Sequence, residues 1–338
     1  MKGRQIILDH LNGREAAALM VDGKLHDFLI DNDAPRPGSI YRAIADRPVK
    51  GQGGMFLSTP DGNVFLRQVK GLSPGQPLLV QVTGYAEDGK AIPVTQKVLF
   101  KSRYAIVTPD SPGLNVSRSI KDDELRDTLK GIAHGVMQEG DMGLILRSCC
   151  TAEEVDEIAE DIASMEDMAA AIMSETTGPA EKLSDGDGPH VLAWREWIEP
   201  AEVVTDPGSF DTHGVLDALD DLSNPRVQLS GGAFMYVEPT RALVAVDVNT
   251  GRDTSPAASL QANLAAARDL PRQLRMRGLG GQITIDVAPL AKKDRPVFES
   301  TLRSALKVDG IETVLVGWTP LGHFELQRKR DRLPFEST

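Results

Sequence analysis

Cysteine is almost missing from this sequence. Its two copies, Cys149 and Cys150, are adjacent, which disfavours an ordinary disulfide between them and leaves no Cys-x-x-Cys spacing for a metal. A reducing compartment and no structural zinc are the expectation. Also missing is any apolar run near the roughly 18 residues that a membrane helix requires, in keeping with a mean hydropathy of −0.21. The opening, "MKGRQIILDHLNGREAAALMVDG", has only a short apolar run, early acidic residues and no signal-peptide cleavage region. These features predict a soluble, cytoplasmic protein with no membrane partner. Positive charge is in deficit too, with a net charge of −12 and a pI near 5.0. Nonspecific affinity for nucleic acid comes mainly from Lys and Arg neutralising phosphates, so any RNA or DNA contact must rest on local basic patches.

What is present points to several modest cores, since 338 residues exceed what one small core holds. "RQIILDH", "REAAALMVDG" and "LHDFLID" form a strand pattern with turns at Asn12-Gly13 and Asp22-Gly23. This meander is too small to stand alone and must pair with something later in the chain. After "NDAPRPGS", residues 38–108 hold five short strand candidates bounded by Gly, Pro or Asp-Gly, the pattern of a small barrel such as an OB-fold. Phe56, Phe65, Arg67 and Lys90 are candidate surface readers there, because aromatic faces stack on bases and cations hold phosphates. The two Phe side chains suit a barrel core equally well.

Residues 122–139 carry helical spacing behind an acidic start, "MGLILRSCC" reads as a buried strand ending in Arg147 and Ser148, and "TAEEVDEIAEDIASMEDMAAAIMSE" as a long acidic helix. From about residue 226 strands and helices alternate, which predicts an α/β domain. Its elements are "QLSGGAFMYVEP", "ALVAVDVN", a helix over "ASLQANLAAARDLPRQLRMRG" with a kink or break at Pro271, "QITIDVAPL", a second helix, "IETVLVGWT" as the final strand and a basic end, "HFELQRKRDR".

Asp247 and Asp286 each close an apolar strand, "LVAVD" and "ITID", joined by one helix. If the strands are parallel neighbours, a right-handed crossover brings both carboxylates to one sheet edge, where α/β proteins place their sites. Two carboxylates that close repel unless a cation lies between them, and Mg²⁺ against a phosphate oxygen is the usual solution. Asn249 then orients Asp247 or a substrate phosphate. Two aspartates capping turns after their strands satisfy the same spacing, and the spacing leaves both readings open.

"ALVAVDVNTGR", "ANLAAARDLPRQLRMRGLGGQITID" and the closing "LQRKR" resemble, in order, the catalytic region of the ribonuclease E/G family of bacterial endoribonucleases. "REAAALMVDGKLHDFLID" resembles that family's opening strands, "GSIYRAIADRPVKGQGGMFLSTPDGNVFLRQV" its inserted OB-fold, and "LNVSRSI" through "EGDMGLILRS" its segment that senses an RNA 5′ end. The resemblance implies an α/β multidomain fold: a ribonuclease-H-like subdomain of 1–34 with 189–224, an inserted OB-fold over 35–109, a 5′-sensor over 110–188 and a deoxyribonuclease-I-like catalytic domain over 225–338. It implies a Mg²⁺-dependent endoribonuclease acting on single-stranded RNA, with Mn²⁺ as the alternative ion. Asp247 and Asp286 would hold the metal and Asn249 would complete the catalytic set. Phe56, Phe65, Lys90 and Arg118 would contact RNA, and Arg147 with Ser148 a 5′-monophosphate.

Departures from the family pattern accompany the match. Val287, Ala288 and Pro289 follow Asp286 where the family has an apolar pair and another acid, "GRDTSPAAS" is shorter than usual, and Pro320 stands where an Arg is common. The sequence also lacks the family's Cys-Pro-x-Cys zinc-link, so a monomer or a dimer built without zinc is expected. Two rival readings stay open: an RNA-binding protein of the same fold with weak or lost cleavage, and a metal-dependent phosphoesterase of other substrates.

Overall fold

The computed structural model describes residues 3–49, 53–69, 71–87, 89–137 and 142–335. They divide into two units, Asp31–Pro200 and the combination of Met1–Ile30 with Ala201–Thr338. The chain starts as an antiparallel meander, β1 (Arg4–Leu11), β2 (Arg14–Val21) and β3 (Lys24–Ile30). Asn12 and Asp22 hold positive φ at its two turns, as two-residue hairpin loops demand.

The Asp31–Pro200 unit opens with β4 (Ile40–Val49), β5 (Gly54–Thr59), β6 (Gly62–Leu66), β7 (Pro77–Val82) and β8 (Ile92–Thr95). Their order, β4-β5-β6-β8-β7, closes through β4 against β7. The result is a closed five-stranded barrel of OB-like strand order, as the dense short strands predict. Alternate residues fill it, among them Met55, Leu57, Val64 and Leu66. A second, smaller sheet follows from β9 (Phe100–Lys101), β10 (Ala105–Thr108), β11 (Gly113–Val116) and β12 (Gly143–Leu146), packed with α1 (Asp123–Val136) and α2 (Val155–Ser174). Asp122 caps α1, its carboxylate accepting from the Leu125 amide, the arrangement expected of an acidic helix start. Strand β13 (Glu181–Ser184) pairs with β4, and α3 (Pro189–Glu196) ends the unit. Cys150 is buried and Cys149 half-buried, and both are free thiols.

The other unit resumes with β14 (Glu202–Val204), which pairs in parallel with β1 and gives the meander its fourth strand. Helices α4 (Ser209–Thr212) and α5 (Val215–Ser223) cover that sheet through Phe210, Val215 and Leu219. Helix α3 belongs to the Asp31–Pro200 unit, whereas the sequence reading groups residues 189–196 with the meander.

The six-stranded sheet that carries the two aspartates has the order β15-β16-β17-β18-β20-β19, from β15 (Arg226–Gln228), β16 (Phe234–Pro239), β17 (Val244–Asn249), β18 (Gly281–Asp286), β19 (Thr313–Trp318) and β20 (Phe324–Arg328). Helices α6 (Pro256–Met276) and α7 (Arg295–Asp309) pack on one face against Met235, Val246, Ile285 and Leu326. The other face is open and carries Asp247, Asp286 and Glu325 together with Phe234, Tyr236, Val314 and Val316. Two expectations are corrected here. Of the kink or break expected at Pro271, the break is absent: the helix runs on to Met276 with Pro271 buried. A mid-helix proline costs about 3 kcal/mol, and burying Leu270 and Leu274 at about 1.5–3 kcal/mol each offsets it. "IETVLVGWT" is not the last strand either, because "HFELQ" forms β20 and inserts between β18 and β19. Phe324, Leu326 and Arg328 point inward on it, and the arginine disguises the alternation.

Arg328 is tolerated because Asp309 meets it, Nη2 to Oδ2 at 2.7 Å, with side-chain exposures of 1% and 2%. Arg275 also binds Asp309 and lies 3.2 Å from Asp27, which Arg332 grips as well. The arginines of "RQLRMR" have neighbouring jobs: Arg272 donates to Asp269 and to the Leu25 carbonyl, Arg275 to the His26 carbonyl, and Arg277 to the carbonyls of Leu222 and Asn224. That motif is a clamp between α6 and the segments around it.

Candidate active site

Strands β17 and β18 are the parallel pair of their sheet, joined by α6, and their register sets Asp247 directly opposite Asp286. Both carboxylates lie on the open face and are exposed; Asp286 retains 64% of its side-chain surface. Asn249 donates from Nδ2 to Asp247 Oδ2 at 2.9 Å, which fixes one carboxylate oxygen. All three residues that the sequence singles out for this edge are therefore brought together.

The loops beyond the two strands are held from beneath. Asn263 of α6, fully buried, donates to the Ala288 carbonyl and accepts from the Ala288 amide, both at 2.9 Å. The turn after Asp286 is thereby tied to the crossover helix. Gly251, after Asn249, has φ of 79°, and a Cβ there would lie 2.5 Å from the Gly232 carbonyl oxygen. Only glycine admits that approach. Replacing Asn263 with alanine orphans two buried backbone groups at about 1–3 kcal/mol each, so a loss of about 2–6 kcal/mol is expected by urea denaturation. An unchanged midpoint would show that the Ala288 turn needs no such tie.

One neighbour escapes a reading of the sequence. His323 precedes β20, and the pairing of Ile285 with Phe324 sets it beside Asp286, with Nε2 3.8 Å from Oδ1. Unless "HFELQ" is seen to be a strand next to β18, nothing marks this histidine. Among the described residues no group of three His, Cys, Asp or Glu side chains is arranged to hold a metal. The two aspartates are thus the acidic donors of this edge.

The family model of the Ribonuclease E/G family matches residues 100–192 and 191–331. The chain belongs to the ribonuclease E/G family. It is 26% identical to ribonuclease E of Synechocystis over 94% of this chain and 55% of that protein. Ribonuclease G of Salmonella typhimurium is 26% identical over 96% of this chain and 80% of its own length, and that of Escherichia coli 26% over 98% and 81%. The chain spans little more than half the length of the ribonuclease E proteins it matches.

The remaining candidates of this ribonuclease E/G family member lie in the Asp31–Pro200 unit. Phe56 and Phe65 are register partners on the outside of the barrel, with ring centroids 5.4 Å apart, while Met55, Leu57, Val64 and Leu66 fill the inside. The reading of both rings as barrel core is thereby overturned by the strand alternation. Arg47 lies over the Phe56 ring. Gly54 is required beside them, since a Cβ there would sit 2.3 Å from the Phe65 ring. Arg67 is exposed. Lys90 is exposed in a turn and pairs with Glu87 at 2.6 Å.

Arg118 and Ser148 are both exposed, each two residues past strands paired in parallel register at Val116 and Leu146. Arg147 is already occupied. Its guanidinium donates to the Ser102 carbonyl at 2.7 Å, to the Arg195 carbonyl at 3.1 Å and to Glu196 at 2.7 Å. Burial alone would raise the Glu196 carboxyl, but Arg147 and Arg195 outweigh it and hold the group below its ordinary value. No helix among the described residues is long and apolar enough to cross a membrane.

Proposed function

We propose that this chain is a Mg²⁺-dependent endoribonuclease that cleaves single-stranded RNA at the Asp247–Asp286 edge. The observation that carries the reading is the in-register parallel pair itself, with Asn249 holding Asp247. Two exposed carboxylates one strand apart suit Mg²⁺, which takes hard oxygen ligands from one or two carboxylates and fills its remaining positions with water and substrate phosphate oxygens. When bound there, the ion polarises a phosphoryl oxygen and lowers the pKa of water. The chain's own residues do the rest. Asp247 and Asp286 present oxygens to the ion, Asn249 fixes the Asp247 carboxylate, and the Asn263 tie keeps the segment after Asp286 in place. In-line attack by water would leave a 5′-phosphate on the downstream product.

The outward Phe56–Phe65 pair supports a stacking surface for RNA on the barrel, with Arg47 and Lys90 adding charge. Exposed Arg118 and Ser148, beside Arg147, support a pocket for a 5′-monophosphate, which would replace Glu196 on the Arg147 guanidinium. By the same resemblance the β1–β3 meander with β14 is assigned a ribonuclease-H-like role and the β15–β20 sheet a deoxyribonuclease-I-like one.

The test is incubation of 5′-monophosphorylated single-stranded RNA with the protein and Mg²⁺. Cleavage is expected to stop with EDTA and to return on adding Mg²⁺ or Mn²⁺; cleavage indifferent to EDTA would overturn the metal assignment. RNA binding without cleavage would favour the binding-only reading. For the barrel, changing Phe56 or Phe65 to alanine is expected to weaken RNA binding by about 1–3 kcal/mol, the usual worth of one stacked base. Fluorescence anisotropy with a labelled oligonucleotide measures it, and affinity equal to that of the wild type would remove the barrel face from the RNA path.

A further inference from the structure

Registers across the β15–β20 sheet align a row of chemically distinctive side chains on its open face. Arg226 faces Tyr236, Tyr236 faces Asp247, and Asp247 faces Asp286. One step along, Phe234 faces Asn249. Phe234 and Tyr236 are half-buried, and they are not in the core, which takes Met235 and Val237 from the same strand. Their rings are 5.7 Å apart and nearly perpendicular, and the Arg226 guanidinium lies 4.3 Å from the Phe234 centroid.

We infer that Arg226, Phe234 and Tyr236 form a base-stacking subsite for the nucleobase of a nucleotide adjoining the phosphate held at Asp247 and Asp286. This rests on the nuclease reading and adds a substrate contact to it. Neighbouring strands are about 4.8 Å apart, so the Tyr236 ring stands one strand from the Asp247 carboxylate. A base attached to a nucleotide at that carboxylate reaches the ring without the chain leaving the sheet face. Aromatic faces accept any base, and a guanidinium plane extends such a stack. The net charge of −12 repels a polyanion overall, and stacking supplies affinity at the acidic edge that does not depend on long-range attraction. Discrimination among bases should therefore be weak.

The test is an abasic scan. Binding of the full chain to a labelled single-stranded RNA is measured by anisotropy with Ca²⁺ in place of Mg²⁺, an ion that carboxylate oxygens also hold, with one abasic nucleotide moved along the RNA. The cut position is mapped separately with Mg²⁺. Wild type is expected to lose about tenfold in affinity at one position flanking the cut, within the range for one stacked base. Tyr236→Thr and Phe234→Thr, which keep strand-forming side chains, are expected to lose a similar factor on intact RNA and nothing further at that position. Tyr236→Trp is expected to keep the penalty. A purely structural role would lower affinity without erasing any positional penalty. The inference is overturned if no position shows that erasure, or if the erased position does not adjoin the cut. Should the wild type show one position whose penalty the Tyr236 and Phe234 variants erase and yet cleave nothing, the nuclease reading fails while the stacking of a base on these rings stands.

Discussion

Asp309→Ala is expected to destabilise the protein by about 3–5 kcal/mol, the usual cost of breaking a buried ion pair from one side. Asp309 is 2% exposed and is the carboxylate partner of Arg328, itself 1% exposed. Arg275 keeps Asp27 and the His26 carbonyl when Asp309 is lost, but among the described residues Arg328 keeps only the Thr313 hydroxyl, 3.2 Å away. A buried guanidinium facing one neutral acceptor is the costly product. Arg328→Met should cost less, because Asp309 still has Arg275 and methionine fills an apolar space flexibly. Urea denaturation of both variants gives the comparison. A larger loss for Arg328→Met would mean that packing of the arginine stem, not charge compensation, holds β20 in the sheet.

Asp247→Asn and Asp286→Asn are expected to lower kcat/KM on single-stranded RNA by about 10³-fold, roughly 4 kcal/mol of transition-state stabilisation, with little change in unfolding midpoint. Each change removes one negative ligand but keeps the side chain's shape. Neither aspartate supports the fold: both are exposed, and Asp247 has Asn249 as a neutral neighbour. Relief of repulsion between facing carboxylates should leave stability equal or slightly raised. Single-turnover cleavage of an end-labelled RNA measures the rate and a thermal scan the stability. Full cleavage in both variants would sink the site; a rate loss matched by unfolding would move the two aspartates to a structural role. Asp309 and Asp247 thus separate cleanly, one changing stability and the other chemistry.

Much of the candidate site was legible. "LVAVD" and "ITID" are strands with an acid at the tip, and if they are parallel neighbours the right-handed crossover puts both acids at one edge, a condition that the β17–β18 pairing meets. The barrel was readable from turn residues spaced every few positions. Less legible was which side of the barrel Phe56 and Phe65 occupy, since their alternation is relative to a register that only closure of β4 on β7 defines. His323 and the Tyr236–Asp247 facing were invisible for the same reason: a residue's cross-strand neighbour is not written in its own segment. The "RQLRMR" arginines looked like part of a catalytic signature, and their hydrogen bonds show them clamping backbone instead.

By itself the sequence determined most of the strands and helices, the meander's need of a partner, the paired acids at strand ends and the family resemblance, because these depend on periodicity, turn chemistry and residue order along the chain. Only the tertiary structure decided that β20 lies between β18 and β19, that Arg328 is a buried ion pair, that Arg147 already holds Glu196, and that Arg226, Tyr236, Asp247 and Asp286 share one row. Those facts depend on register and burial, which arise when distant segments exclude water together and leave each polar group to find its partner across the sheet.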